Sequence, residues 1–253
     1  MGEIDLNFRP SVPVFDANIA LGRHPKRVLT SDSLIQAEIE MDRAGVNHAL
    51  AYSMHAAVFD TEDGNAYLMD ILSGNSNIEP QFVCNPATDN LNRFADEIEK
   101  SRVRSLRILP NTQGYPFTDW IVGEWMEWLS STSTPLWIPS TEVPVGQLYD
   151  TLKKFPDVDV VLSEVHYISV PWVLPMLRNL HQINIEISRF IIPDGISTLI
   201  DNAGSKRILF GSRFPDSPMG PQLYNLEKSI LNKELLADIC SGNLSMLLNR
   251  SSS

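Results

Sequence analysis

Short apolar runs alternate with longer amphipathic stretches along nearly the whole chain. The short runs place Val, Ile and Leu on consecutive positions, which is typical of parallel strands buried on both faces. We predict eight such strands, at residues 12–19, 48–54, 79–85, 103–109, 135–141, 159–165, 183–188 and 207–211. A helical pattern follows each strand.

The amphipathic stretches predict the helices. Within 119–130, Ile121, Trp125 and Trp128 recur every three or four residues, as one buried helix face requires. Asp32 is the expected N-cap of the first helix, which ends before Gly45. The other helices are expected at 64–72, 90–101, 145–155, 171–181, 194–203, 222–231 and 233–248.

Eight alternations of strand and helix predict a single (β/α)8 TIM barrel that forms one domain over residues 1–253. The chain length is typical of that fold, in which the active site lies at the carboxyl ends of the strands. We call that end the mouth. A doubly wound open sheet is the alternative, but no Gly-x-Gly-x-x-Gly follows the first strand and no Gly-x-x-x-x-Gly-Lys-Ser/Thr occurs.

Composition narrows the class of partner. The formal net charge is −11, and an acidic chain lacks the basic surface that binds nucleic acid or anionic membranes. The sequence shows neither an apolar run of the ~20 residues that cross a bilayer nor a signal peptide. Cys84 and Cys240 give no disulfide framework. We therefore expect a cytoplasmic protein without a nucleic-acid or membrane partner, and homo-oligomer formation is left open.

Two strand ends carry motifs of a known family. The first reads Asp-Ala-Asn-Ile-Ala over 16–20, and the last reads Gly-Ser-Arg-Phe-Pro over 211–215. They resemble the first and eighth strands of the metal-dependent amidohydrolase-related barrels, which read Asp-x-His-x-His and Gly-Ser-Asp-x-Pro. Residues 104–110, 160–166, 184–188 and 241–248 are similar to that family's fourth, sixth and seventh strands and its closing helix. The resemblance covers most of the chain and implies the same barrel.

The resemblance also implies metal ligands that this chain lacks. The two histidine positions of the first strand hold Asn18 and Ala20, and the aspartate position of the last strand holds Arg213. Alanine has no donor atom, an amide oxygen binds zinc poorly, and a permanent cation repels a divalent metal. Glu164 stands at the sixth-strand histidine, unless a two-residue shift brings His166 there. We expect no metal and no other cofactor.

Arginines and acids are expected at the mouth instead. Guanidinium groups match a carboxylate or a phosphate with paired donors, so the pattern predicts a small anionic molecule as the partner. The residues expected to bind it are Asn18, Arg23, His55, Arg107 and Arg213. The residues expected to transfer protons are Glu164, His166, Glu186 and Asp216.

Three functions are compatible with these residues. The first is a hydrolase, or a related lyase or lactonase, that acts without a catalytic metal on a small carboxylated substrate. The second is an inactive relative that binds an anionic small molecule or a protein. The third is a metal hydrolase whose site has moved to Glu164, His166 and Glu186. If these residues are purely structural, Arg213 pairs with Glu164 or Glu186, and His55 and His166 are loop residues.

The loop after the fourth strand offers a further candidate. Tyr115 and Phe117 lie there and could cover a substrate. Trp120, Trp125 and Trp128 are expected to pack the helical shell.

Overall fold

The computed structural model describes residues 8–25, 27–29, 31–229 and 231–251. These residues form nine strands: β1 Phe15–Leu21, β2 His48–Ser53, β3 Ile78–Pro80, β4 Phe82–Val83, β5 Leu106–Arg107, β6 Leu136–Pro139, β7 Val160–Ser163, β8 Ile183–Glu186 and β9 Ile208–Leu209. β3 and β4 are the two halves of one barrel strand, which the single residue Gln81 separates. The predicted eight barrel strands are therefore all present.

Neighbouring strands are parallel and follow chain order. β1 to β3 pair in one sheet and β4 to β9 in a second. The N–H group of Gln81 donates to the carbonyl of Ala51 at 2.7 Å and joins the two sheets. At the other edge Ala17 N–H donates to Phe210 C=O at 3.0 Å, and Ile19 forms a parallel bridge to Phe214. The sheet therefore closes into the predicted (β/α)8 barrel, and the open-sheet alternative is wrong.

The helices surround this barrel. Their bounds are α1 Leu34–Ala44, α2 Met54–Val58, α3 Thr61–Ile71, α4 Leu91–Ser101, α5 Pro110–Gln113, α6 Asp119–Thr132, α7 Val145–Leu152, α8 Val170–Asn179, α9 Gly195–Ala203, α10 Gly220–Lys228, α11 Lys233–Ala237 and α12 Asn243–Arg250. Two 3-10 turns, Tyr167–Ser169 and Ser205–Arg207, and a π-turn at Asp238–Gly242 complete the set. No helix in the described ranges is both long and apolar enough to cross a membrane.

Several predicted boundaries are wrong. Ser33, not Asp32, caps α1, because its side chain accepts a hydrogen bond from Gln36 N–H. The fourth barrel strand shrinks to the two residues of β5, which pair with β4 and β6 only over that length. α2 and α5 were not predicted, since one turn is too short to show a period. The π-turn interrupts the helix predicted at 233–248.

The aromatic residues near α6 correct two further expectations. Tyr115 and Phe117 do not cover the mouth, because both are buried in the core between barrel and helices. Trp125 packs in that core as predicted, whereas Trp120 is 77% exposed.

A separate apolar cluster fills the amino end of the barrel. It consists of Phe15, Ala17, Leu50, Trp137, Val161 and Leu209 from the strands with Leu244, Leu247 and Leu248 from α12. Arg250 pairs with Asp159 at 2.8 Å, and Ser251 donates to the carbonyl of Arg104, so the end of α12 contacts residues that precede β7 and β5. α12 thus covers the amino end, and polar side chains gather at the mouth.

Candidate active site

Charged and amide side chains fill the mouth in two groups. The inner cluster consists of Asp16, Asn18, Gln81, Arg107 and Glu186, all of which are buried. The outer cluster consists of Arg27, Glu164, Arg213 and Asp216, which retain partial exposure. The two clusters are linked, because Glu164 N–H donates to a carboxylate oxygen of Glu186 at 3.1 Å.

Arg107 is the centre of the inner cluster. Its Nε donates to Gln81 Oε1 at 2.7 Å, and its Nη2 donates to Asn18 Oδ1 at 2.8 Å. The guanidinium lies 4.0 Å from the centroid of the Tyr52 ring. Among the described residues, Nη1 has no hydrogen-bond partner although it is buried. A buried cation with an unused donor is costly to leave bare, which makes Nη1 a point where an anion would be stabilised.

Asn18 connects Arg107 to Glu186. Its Nδ2 donates to Glu186 Oε2 at 3.0 Å, while its Oδ1 faces the guanidinium. Glu186 also accepts from Ser188 Oγ at 3.1 Å and from the N–H of Ser188. Burial raises the pKa of Glu186 and the nearby Glu164 carboxylate adds to the rise, while hydrogen bonds from Glu164 and Ser188 oppose it. Both polar atoms of the Asn18 amide are therefore engaged by the protein.

Asp16 lies beside this chain of contacts. Its Oδ1 accepts from Asn18 N–H at 3.0 Å and from Ser212 N–H at 2.9 Å, so it ties the first strand to the last. Its Oδ2 is buried and lacks a partner in the described part of the chain. Burial raises the pKa of Asp16 to about 7, despite opposing hydrogen bonds from Ser212 and Asn18. This acid therefore exchanges its proton near neutral pH.

The outer cluster is held by long ion pairs around Arg213. Its Nη1 lies 3.6 Å from Glu164 and 3.5 Å from Asp216, and Arg27 pairs with the same Asp216 at 2.5 Å. Arg213 Nε is buried without a partner among the described residues. Glu164 and Arg213 both have left-handed backbone, with φ of 56° and 62°, a strained conformation that clusters at functional sites.

Six of the nine predicted site residues meet at the mouth: Asn18, Arg107, Glu164, Glu186, Arg213 and Asp216. The other three lie outside the two clusters. Arg23 and His55 line a separate groove of about 620 Å³, in which the His55 ring lies 5.3 Å from that of Phe59. His166 Nδ1 accepts from Ile168 N–H at 3.4 Å and caps a 3-10 turn.

Sequence reasoning missed four residues of the mouth. They are Asp16, Tyr52, Gln81 and Arg27, none of which is among the site residues predicted from the sequence. Alternation offered a signal for Tyr52, because it pairs with Ala20 across β1 and β2 and so shares its inward face. Gln81 interrupts a strand and Arg27 lies in a loop, and neither has a comparable signal in a single sequence.

The residues present do not fit the metal that the resemblance implies. Ala20 has no donor atom, the Asn18 amide is occupied by Arg107 and Glu186, and Arg213 brings a positive charge. The displaced site at Glu164, His166 and Glu186 does not fit either. His166 Nδ1 already accepts a hydrogen bond from Ile168 N–H, which caps a 3-10 turn. Throughout the described ranges, no group of three or more His, Cys, Asp and Glu side chains is arranged to hold a metal ion.

Comparison with known proteins supports this fold. The model of the amidohydrolase family matches residues 35–243. The chain is similar to 5-carboxyvanillate decarboxylase from Sphingomonas paucimobilis, with 15% identity, a TM-score of 0.74 and coverage of 94% of this chain and 99% of that one. It is also similar to a zinc-bound amidohydrolase from Burkholderia multivorans, with 11% identity, a TM-score of 0.73 and coverage of 94% and 99%.

A third similar structure is a putative 2-pyrone-4,6-dicarboxylic acid hydrolase from Pseudomonas putida. It shares 14% identity with a TM-score of 0.71, over 94% of this chain and 98% of that chain. No curated protein matches the chain. At these identities the structural likeness establishes the barrel, and the chemistry has to be argued from the side chains.

Proposed function

Because the chain belongs to the amidohydrolase family, we propose that it is a hydrolase, or a related lyase or lactonase, that acts on a small carboxylated substrate without a catalytic metal. The observation that carries this proposal is Arg107, a fully buried guanidinium at the barrel mouth whose Nη1 has no hydrogen-bond partner among the described residues. The cation stands in the same mouth as two acids, Asp16 and Glu186, whose pKa values burial raises.

The substrate carboxylate would bind between the two arginines. Arg107 offers Nη1 and Arg213 offers Nε, and neither N–H group has a partner among the described residues. Charge-assisted hydrogen bonds from guanidinium to carboxylate are among the strongest in proteins. The names of two similar structures, a carboxyvanillate decarboxylase and a pyrone dicarboxylic acid hydrolase, support a carboxylated substrate by analogy.

Substrate binding would also free a base. Glu164 lies 3.6 Å from Arg213, and Asp216 lies 3.5 Å from Arg213 and 2.5 Å from Arg27. A substrate carboxylate would compete with both acids for Arg213. We therefore assign proton transfer to Glu164 and Asp216, and we assign Glu186 the task of holding Asn18 in place.

One observation favours an inactive relative as the second candidate. The amide oxygens of Asn18 and Gln81 already accept hydrogen bonds from Arg107, and the amide nitrogen of Asn18 already donates to Glu186. Such a network can stabilise the barrel without reacting. The same anion would then bind at Arg213, and turnover would be absent.

The two cysteines bear on the cellular compartment. Cys84 and Cys240 are buried and unpaired, which agrees with a reducing compartment. We propose a cytoplasmic location and a small anionic molecule as partner, while homo-oligomer formation stays a question for measurements of mass in solution.

The test is a thermal-shift screen of carboxylated metabolites, followed by turnover assays on every compound that stabilises the protein. Arg213→Met should then weaken binding of the selected compound by roughly 2–5 kcal/mol, the usual loss when a desolvated charge pair is broken. Stability should change little, because the ion pairs of Arg213 are long and partly exposed.

Arg93→Met is the matched control, since Arg93 is an exposed arginine that pairs with Glu62 on the helical shell. It should leave binding unchanged. A sharp fall in melting temperature for Arg213→Met with unaltered binding would show that Arg213 is structural. Tight binding without turnover of any compound would favour the inactive relative.

A further inference from the structure

Tyr52 lies next to a position that the family resemblance gives to a different residue. It lies on β2 directly beside Ala20 of β1, which stands where the resemblance implies a metal-binding histidine. The small side chain of Ala20 leaves room on this inward face. Tyr52 fills it and packs in one apolar cluster with Ala20, Val83 and Leu109.

The aromatic ring of Tyr52 supports the inner cluster. The Arg107 guanidinium lies 4.0 Å from the ring centroid, a geometry in which the face of the ring attracts the cation. Burial raises the pKa of Tyr52 to about 12, Arg107 and Arg213 oppose the rise, and Glu164 and Asp216 add to it. The phenol therefore lies within electrostatic range of both clusters and keeps its proton at neutral pH.

The hydroxyl group of Tyr52 is unoccupied. It makes no hydrogen bond to any other described residue, and it is not among the fully enclosed polar atoms that lack a partner. Tyr115 provides the contrast. Both tyrosines are 7% exposed, but Tyr115 packs in the main core away from the charged clusters, whereas Tyr52 lies against Arg107. The Tyr52 hydroxyl is thus a neutral donor with no partner among the described residues, within electrostatic range of Arg107 and Arg213.

We propose that Tyr52 is a substrate-binding residue whose hydroxyl donates a hydrogen bond to the carboxylate held between Arg107 and Arg213. The inference rests on the proposed function and adds a donor that carries no charge. The arginines attract any anion, whereas a fixed phenol selects an oxygen at one place. Tyr52 would therefore favour planar carboxylates over spherical anions such as chloride.

The experiment compares Tyr52→Phe with Tyr115→Phe, two variants that each remove one hydroxyl. Isophthalate serves as the probe, and calorimetry measures its binding to the full chain. Tyr52→Phe should weaken isophthalate binding about ten- to a hundredfold, as expected for a hydrogen bond to a charged group. Binding of chloride should be unaffected, and Tyr115→Phe should bind isophthalate as the wild type does.

A second measurement does not depend on the variant's affinity. Uniform 3-fluorotyrosine labelling gives one fluorine signal for each of the six tyrosines, and Tyr52→Phe identifies the signal of interest. Isophthalate should shift that signal and leave the Tyr115 signal in place.

The outcomes separate the two proposals. If isophthalate binds with unchanged affinity to Tyr52→Phe and does not shift the Tyr52 fluorine signal of the wild type, the Tyr52 assignment is wrong and the proposed function stands. If the wild type does not bind isophthalate at all and Arg213→Met alters no ligand found in the screen, both proposals fail.

Discussion

Asp16 shows how a single side chain can oppose stability at neutral pH. The folded protein keeps the Asp16 proton up to a pKa of about 7, whereas an aspartate in the unfolded chain releases it near 3.8. Between these values the folded state binds more protons than the unfolded state, so stability falls as the pH rises. The shift corresponds to at most about 4 kcal/mol. Glu186, whose pKa is also raised, contributes in the same direction.

We predict that Asp16→Asn removes most of this penalty. The asparagine keeps the oxygen that accepts from Asn18 and Ser212, and its amide nitrogen replaces an oxygen that has no partner among the described residues. The melting temperature should match the wild type near pH 4 and exceed it by several degrees at pH 8. Thermal unfolding across this pH range measures the difference.

Asp119→Asn is the control for that experiment. Asp119 is exposed and pairs with Lys154 at 2.6 Å, which lowers its pKa. Its removal should leave the decline of stability between pH 4 and pH 7 in place. An equal decline in the wild type and in Asp16→Asn would mean that other groups cause it.

The sequence predicted a residue's place in the mouth only where the residue type conflicts with its immediate neighbours in the chain. Arg107 stood out because an apolar run must not contain an unpaired charge, and the structure places it in the inner cluster. Arg23 and His55 also follow strand ends, but they line another groove, Arg23 from a loop and His55 from α2. The direction of a loop depends on packing among distant residues, and a single sequence does not encode it in a readable pattern.

At the scale of the elements, Arg207 joins three parts of the shell. Its guanidinium donates to the carbonyls of Leu177, Leu180 and Ile183, and also to Ala203, at distances of 2.7 to 3.1 Å. These carbonyls belong to the end of α8, the start of β8 and the end of α9. The planar fork of five donors suits such a junction, and a single ammonium group does not.

We therefore predict that Arg207→Lys destabilises the protein by about 2–4 kcal/mol, because one ammonium group cannot replace the guanidinium hydrogen bonds to carbonyls of three elements. Denaturant unfolding measures the change, and isophthalate binding should be normal in the folded variant. Arg178→Lys is the matched control, since Arg178 is exposed on α8 and donates to a side chain, that of Asn202, rather than to backbone carbonyls. A difference below ~0.5 kcal/mol between the two variants would contradict this account.

Helices and strands were easier to predict than their ends. The apolar runs identified every barrel strand, since consecutive buried positions are required wherever both faces of a strand are covered. Arg207 was expected to begin the last strand and instead ends a 3-10 turn. Its charge is satisfied by carbonyls from other elements, and such contacts are formed only after the barrel has assembled.

At the scale of the whole molecule, the main prediction is that the protein does not hold a catalytic metal ion. The mouth already contains its own cations, Arg107 and Arg213, at the place where the resemblance implies a divalent ion. We predict that the purified protein holds well under one equivalent of zinc, manganese or iron by elemental analysis. Dialysis against a chelator should change neither the melting temperature nor ligand binding relative to mock dialysis. Stoichiometric metal whose removal abolishes activity would overturn this view.

The contacts of Asp16 and Asn18 join residues that are far apart in sequence, so these contacts become possible at different times during synthesis. Arg107 is synthesised 89 residues after its partner Asn18, and Glu186 is synthesised 168 residues after Asn18. Ser212 follows its partner Asp16 by 196 residues. At ~5–20 residues per second, that wait is on the order of 10–40 s. The hydrogen bond between Asp16 and Ser212 can form only after that time. We expect the burial that raises the pKa of Asp16 to be complete only when the first and last strands meet.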